Sequence, residues 1–393
     1  MDTNPDYWKI RFGQLFQAAL QDSGKRLEDH LYFWPDDLAL DVKEERSYDA
    51  INLNLQRDTC QQHFGTTQPI PAMPAIAAGW DVTIVIVPGI GHHVLENKVL
   101  EQEIAWLHSQ GQKVIYAYYD ESFESVDDCA QSLYENNFKE STDTDKLVFI
   151  SFSKGCPITM ALLTNDDYLA VRRRTLALVA LSSPIRGTRL AESWLARLSL
   201  KILSAYKRYL SKVMRRGIPL MGRLIGKMIL FFKPSRDKDW QTTLDKVLDI
   251  EDEITDLPEG IKGLTRQAST RRFARVTIDP AIRLFTLSAV HPPTALRHKA
   301  GNNPDKLFLY YFGMPLYMHT VFCDSQVSLP ESRFFPANGP YHDLGIVRAD
   351  HWGLTMDRVF PASPSDPFPR REMVWAICAV LHEYLQGNHL SAE

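Results

Sequence analysis

From Val82 to Ser182 short aliphatic and β-branched runs alternate with stretches of helical spacing, and this alternation constrains the fold more than any other feature of the chain. VTIVIV (82–87), stopped by Pro88-Gly89, reads as a strand buried on both faces. Residues 95–109 are helical in pattern and stop near Gly111; KVIYAYY (113–119) is a second strand, 125–138 a second helix, and KLVFIS (146–151) a third strand. A helix from about Cys156 to Leu163 leads to a fourth strand, LALVALS (176–182). Strands and helices in this rhythm imply parallel pairing through right-handed crossovers. The pattern therefore predicts a doubly wound α/β core with a mostly parallel sheet.

After Pro184 the rhythm breaks for about 90 residues of helical, basic sequence. Strand character returns at IRLFTLSAV (282–290), MHTVFCD (318–324) and LGIVRAD (344–350), and REMVWAICAVLHEYL (371–385) has one apolar helical face. Residues 1–80 are less readable: Tyr7 to Leu20 suits an amphipathic helix, YDAINLNL (48–55) alternates like a strand, and PIPAMPAIAAG (69–79) reads as a connector. The expected organisation is an extension over 1–80 packed on the core, a core from 81–190 and 275–393, and an inserted helical cap over 191–274.

Length and composition narrow the class. A chain of 393 residues holds one large domain with insertions or two ordinary ones. With 45% apolar and 23% charged residues and a net charge of -4, it has no global attraction to nucleic acid or membrane. Five scattered cysteines without CxxC spacing argue against a disulfide framework or a zinc site. The terminus MDTNPDYWKIRFGQLF lacks the basic start and apolar run of a secretory signal, and no stretch reaches the ~20 apolar residues of a membrane span. These features predict a cytoplasmic protein.

The chemistry concentrates at ISFSKGC (150–156), where a strand runs straight into a helix. Ser153 lies two residues from Ser151 and two from Gly155, the small neighbours that a sharp strand-to-helix turn needs. Such a turn lifts the hydroxyl above the sheet edge and aims a helix amino terminus at charge developing on a substrate oxygen. Here the sequence resembles the α/β-hydrolase family, lipase/esterase-like members included, whose elbow reads G-x-S-x-G; this chain has S-x-S-x-G. The resemblance spans roughly residues 82–192 and 318–386.

It implies a serine nucleophile at Ser153, with the N–H of Lys154 as one oxyanion donor. A second donor falls on the loop in VIVPGIGHHV (85–94), where Ile90 is the first choice and Gly91 the next. His92 and His93 could contact substrate, though loop histidines are usually solvated. The same glycines do not make a dinucleotide site, because GIGHHVL lacks the third glycine of G-x-G-x-x-G.

A serine needs a base, and the base an orienting carboxylate; in this family the order is Ser, acid, His. His351 follows LGIVRAD, stands in a DHWG turn and precedes the final helix. His382 lies inside that helix, His389 in the tail and His319 in a strand pattern; His291 and His298 come too early and His342 flanks a strand. Asp324, in TVFCDSQVSLPES, ends a strand-like run and resembles the acid loop of lipase-type hydrolases. Asp350 adjoins His351, Asp343 could cap a turn, and Asp279 precedes a strand. LSSPIRGTRLAE (181–192) resembles a Pro-His-x-Gly-Ser/Thr segment, with Ile185 where lipase-like members carry His.

Between Arg186 and Arg236 basic and large apolar residues interleave, with Glu192 the only acid. Basic amphipathic sequence can lie in a membrane interface or fold as a cap whose charges are solvated. Asp245 to Asp256 is acidic and could pair with it. The expectation is a lid handling a hydrophobic substrate, with peripheral membrane contact through 194–236 as a possibility and no nucleic-acid partner. The family resemblance requires no metal or organic cofactor. It points to hydrolysis of carboxylic esters, lipid-like acyl esters favoured. A thioesterase, amidase or acyltransferase on the same residues, and a non-catalytic scaffold binding through the basic insertion, stay open.

Overall fold

The computed structural model describes residues 7–32, 80–90, 98–119, 124–141, 144–193, 259–291, 303–317, 319–320, 322–359 and 363–389. The strand expected at 48–55, the connector at 69–79, Gly91, His92, His93, His298 and residues 194–258 of the insertion lie outside them.

Seven strands form one sheet: β1 (Leu31–Tyr32), β2 (Val82–Val87), β3 (Lys113–Tyr116), β4 (Lys146–Phe152), β5 (Thr175–Leu181), β6 (Arg283–Ala289) and β7 (Tyr341–Val347). Their spatial order is β1-β7-β6-β5-β4-β2-β3. Every pair is parallel except β1 with β7. The cause is visible in the side chains. Ile84, Ile86, Val148, Ile150, Val179 and Leu181 point to one face, and Val85, Val87, Leu147, Phe149, Leu178 and Ala180 to the other, all buried. A strand apolar on both faces is stable only with helices on both sides.

The first face is covered by α1 (Tyr7–Asp22), α2 (Glu101–Ser109) and the carboxyl-terminal helix, here α10 (Arg370–His389). Phe12, Leu15 and Phe16 of α1 join Trp375, Ile377 and Leu381 of α10 in one core. Arg11 clamps Glu383 through both carboxylate oxygens (2.6 and 2.7 Å). The second face is covered by α3 (Val126–Asn137) and α4 (Gly155–Thr164), through Cys129, Leu133, Ile158 and Leu162. Short helices α5 (Leu169–Arg174), α6 (Arg189–Glu192), α7 (Glu259–Lys262) and α8 (Arg266–Phe273) follow, with α9 (Pro304–Tyr317) between β6 and β7.

Two expectations need correction. The second strand ends at Tyr116; Ala117 N–H still bonds Ile86 O (2.9 Å), and Tyr118 and Tyr119 continue as loop. Residues 318–324 supply no strand among the described positions. Cys323 makes only an isolated bridge to Ser328, because the Asp324 side chain closes a turn on the N–H groups of Gln326 (2.8 Å) and Val327 (2.7 Å). Thr320, Phe322 and Cys323 of that run are buried in a loop, which the strand-like pattern does not distinguish.

The two ends of the insertion return to one place. Arg266 of α8 forks onto Glu192 of α6, Thr188 N–H bonds Leu264 O (2.8 Å), and Ala191, Ile261 and Leu264 pack with Ile90. Among the described residues no helix is long and apolar enough to cross a membrane.

Candidate active site

The carboxyl ends of the parallel strands converge on one edge, where ligands of open α/β sheets bind. β4 ends at Phe152, and Ser153 follows with φ +53°, a left-handed conformation disfavoured for a residue with a Cβ. The turn is tight on both sides. A Cβ on Gly155 would stand 2.4 Å from Val87 O and 2.6 Å from Pro88 O, and one on Gly89 would stand 2.7 Å from Ser153 Cβ. Only glycine fits at those two positions. Ser151, in place of the first elbow glycine, fits because its hydroxyl turns to Thr159 Oγ1 (2.9 Å).

This turn holds the Ser153 hydroxyl 2.9 Å from His351 Nε2. His351 Nδ1 lies 2.6 Å from Asp324 Oδ2. Both bonds form together when the imidazole carries its proton on Nδ1 and accepts from the serine at Nε2. The ring packs on Phe152 at 4.7 Å between centroids, and His351 N–H bonds Asp324 O (2.8 Å). Asp324 is fully buried and its carboxylate takes four donors. Oδ1 accepts from the two backbone N–H groups of its turn, and Oδ2 accepts from His351 and from the hydroxyl of Ser182. Ser182 follows β5 with φ +42°, a second strained serine beside the first.

The sequence reading placed Ser153, Asp324 and His351 in separate segments; the structure brings the three side chains into one hydrogen-bonded chain. The other residues considered are elsewhere. Asp350 faces away toward Lys306, Asp343 toward Arg333, and His382 bonds Gln386. Lys154 caps α4, and its side chain is buried and turned from the serine. Its ammonium donates to Glu124 O (2.7 Å) and Cys129 Sγ (3.5 Å), and burial lowers its pKa. Ile90 lies on the loop beyond β2, beside Gly89. Among the described residues no cluster of His, Cys, Asp and Glu could hold a metal ion.

No known family model matches the chain, and no curated protein sequence matches it. Solved structures do. A metagenomic carboxyl esterase superposes with a TM-score of 0.60 at 15% identity, over 95% of this chain and 91% of that one. The chain has the α/β-hydrolase fold. Two further hydrolase-fold comparisons reach lower scores. EstA from Clostridium botulinum gives 0.48 at 13% identity, over 78% of this chain and 88% of that one. The Staphylococcus hyicus lipase gives 0.45 at 14%, over 83% and 99%.

His351 stands on a turn after β7, and sequence reasoning missed what holds that turn. Lys306 on α9, itself buried, bonds both Asp350 and Asp366. Asp350 Oδ1 accepts from Gly353 N–H (2.8 Å), while Arg370 donates to Gly353 O (2.9 Å) and Met356 O (3.1 Å). Burial alone would push the Asp350 carboxyl up, but Lys306 overrides it and holds the pKa below the ordinary 3.8. The folded protein then binds this proton less tightly than the unfolded chain. The stability from Asp350 is present above that ordinary value and is lost as pH falls through the lower folded value.

Lys306→Met keeps the stem and strands two carboxylates in the interior. It is expected to lower stability by about 3–5 kcal/mol at pH 7. A urea midpoint unchanged from wild type would show that the pair contributes nothing.

Proposed function

We propose that this chain is a serine hydrolase that cleaves carboxylic esters through an acyl-enzyme on Ser153. The observation that carries the reading is the relay from Ser153 Oγ to His351 Nε2 and from His351 Nδ1 to Asp324 Oδ2, at 2.9 and 2.6 Å, on a strained strand-to-helix turn. Left-handed backbone at a non-glycine residue persists only where the surroundings over-determine it, and such positions concentrate at functional sites.

In this mechanism His351 takes the Ser153 proton as the hydroxyl attacks the ester carbonyl. The buried carboxylate of Asp324 holds the imidazole in the accepting tautomer and stabilises the imidazolium. The N–H groups of Lys154 and of Ile90 or Gly91 receive the oxyanion. The imidazolium protonates the departing alkoxide, and His351 next activates water to release the acid. The chemistry needs no metal or organic cofactor.

Hydrophobic acyl esters are the favoured class. A solved structure with a fold-level match is a metagenomic carboxyl esterase. The insertion supplies large apolar residues between its cations, and both of its ends pack beside Ile90. We place a cap over 191–274 on that basis, handling the acyl chain, with contact to anionic lipid through 194–236 as its outer role and the cytoplasm as the compartment.

A fluorophosphonate probe tests the reading. Wild type should gain one covalent adduct mapped to Ser153, and Ser153→Ala none. Absence of an adduct on folded wild type, together with no hydrolysis across short and long acyl esters, would remove the enzyme reading and leave a scaffold.

A further inference from the structure

Three residues past β3, Tyr119 is fully buried. Its hydroxyl lies 2.9 Å from Pro88 O and 3.0 Å from Gly89 O, on the loop that follows β2. Burial raises the phenol pKa well above its ordinary value, so the group is a proton donor throughout the working pH range. Two successive carbonyls thus turn toward one donor.

A trans peptide is planar, with its C=O and N–H on opposite edges, and no cis peptide occurs among the described residues. With the Gly89 carbonyl held toward Tyr119, the Ile90 N–H of the same peptide unit faces away from the phenol. Gly89 itself adjoins Ser153, since a Cβ there would stand 3.2 Å from Ser153 Oγ. No described residue accepts a hydrogen bond from Ile90 N–H.

We propose that Tyr119 is a positioning residue for the oxyanion, whose hydroxyl fixes the Gly89–Ile90 peptide with its N–H turned to the substrate side of Ser153. This rests on the ester-hydrolase reading above. Glycine at 89 is required by the close approach to Ser153, but glycine also lets the peptide plane rotate with little resistance. A donor that binds both flanking carbonyls removes that freedom. The oxyanion site is then preorganised and does not have to order itself around each substrate. A tyrosine that merely fills the core would show the same burial, so the test has to separate the two roles.

The test compares wild type and Tyr119→Phe, which keeps the ring and removes the hydroxyl, on one ester and on its thionoester, in which sulfur replaces the carbonyl oxygen. Sulfur accepts hydrogen bonds weakly, so a thionoester draws little from an oxyanion donor. Removing a whole donor typically lowers kcat by about 10²–10³, and loosening one should lower it by about 10- to 100-fold. We expect that fall for the ester with KM within about twofold, and a much smaller fall for the thionoester. Equal falls for both substrates, an unchanged kcat, or a change confined to KM would overturn the proposal.

Ile90→Pro deletes the N–H itself and gives a second arm. Adding Tyr119→Phe to it should change the ester kcat no further, and a full additional fall would overturn the proposal even if the phenylalanine variant alone is too unstable to assay. A wild type that neither labels nor hydrolyses esters overturns the functional reading and this proposal together. Turnover in the wild type with either contrary result overturns only the role of Tyr119.

Discussion

Ser153→Ala is expected to lower kcat for the best ester substrate by ~10⁶-fold, His351→Ala by a similar factor, and the double variant by no more than either alone. The reason is that in the proposed mechanism the two groups act as one unit. Without the base at 2.9 Å the hydroxyl is a poor nucleophile at neutral pH, and without the hydroxyl the base has nothing to activate. The fold should tolerate the serine change. Alanine has the same Cβ in the same left-handed backbone, so the strain at φ +53° is unaltered. Thermal melting should therefore stay near the wild-type midpoint while turnover falls to what binding and the oxyanion donors alone supply. Losses that add in the double variant would mean that the two residues work independently, and the relay would not be the origin of the rate.

How much of this was legible in the sequence depends on the range of the forces involved. The strands β2, β4, β5 and β6 were readable because burial on both faces demands continuous aliphatic runs, and VTIVIV spans the observed Val82–Val87. The elbow was readable for a steric reason: the clashes that exclude a Cβ at 155 act at a fixed offset from Ser153. The two-residue strand β1 carries too little pattern to read, and its place is set by pairing with Val347 and Ile346. The 318–324 run misled because a buried loop and a buried strand recruit the same residue types.

Ser182, Lys306 and Tyr119 were not legible at all. Each matters through a partner far away in sequence: Asp324 for the first, Asp350 and Asp366 for the second, and the Pro88-Gly89 carbonyls for the third. Nothing in the local composition marks them. LALVALS ends in a serine whose role depends on a carboxylate 142 positions away.

Asp324→Asn is expected to lower kcat by ~10⁴-fold with little change in KM, for a reason specific to this loop. An amide can present either its oxygen or its nitrogen to the imidazole, and the turn decides which. The Oδ1 position receives two backbone N–H groups, from Gln326 and Val327, so an oxygen has to stay there. The amide nitrogen is then forced into the Oδ2 position, 2.6 Å from His351 Nδ1. It would donate to that nitrogen, drive the imidazole proton onto Nε2, and leave Nε2 unable to accept from Ser153. The Ser182 hydroxyl can rotate from donor to acceptor, so the turn itself should survive and the variant should melt near wild type. Activity within about tenfold of wild type would remove Asp324 from the relay. A large loss accompanied by an unfolded spectrum would instead assign the residue to the fold.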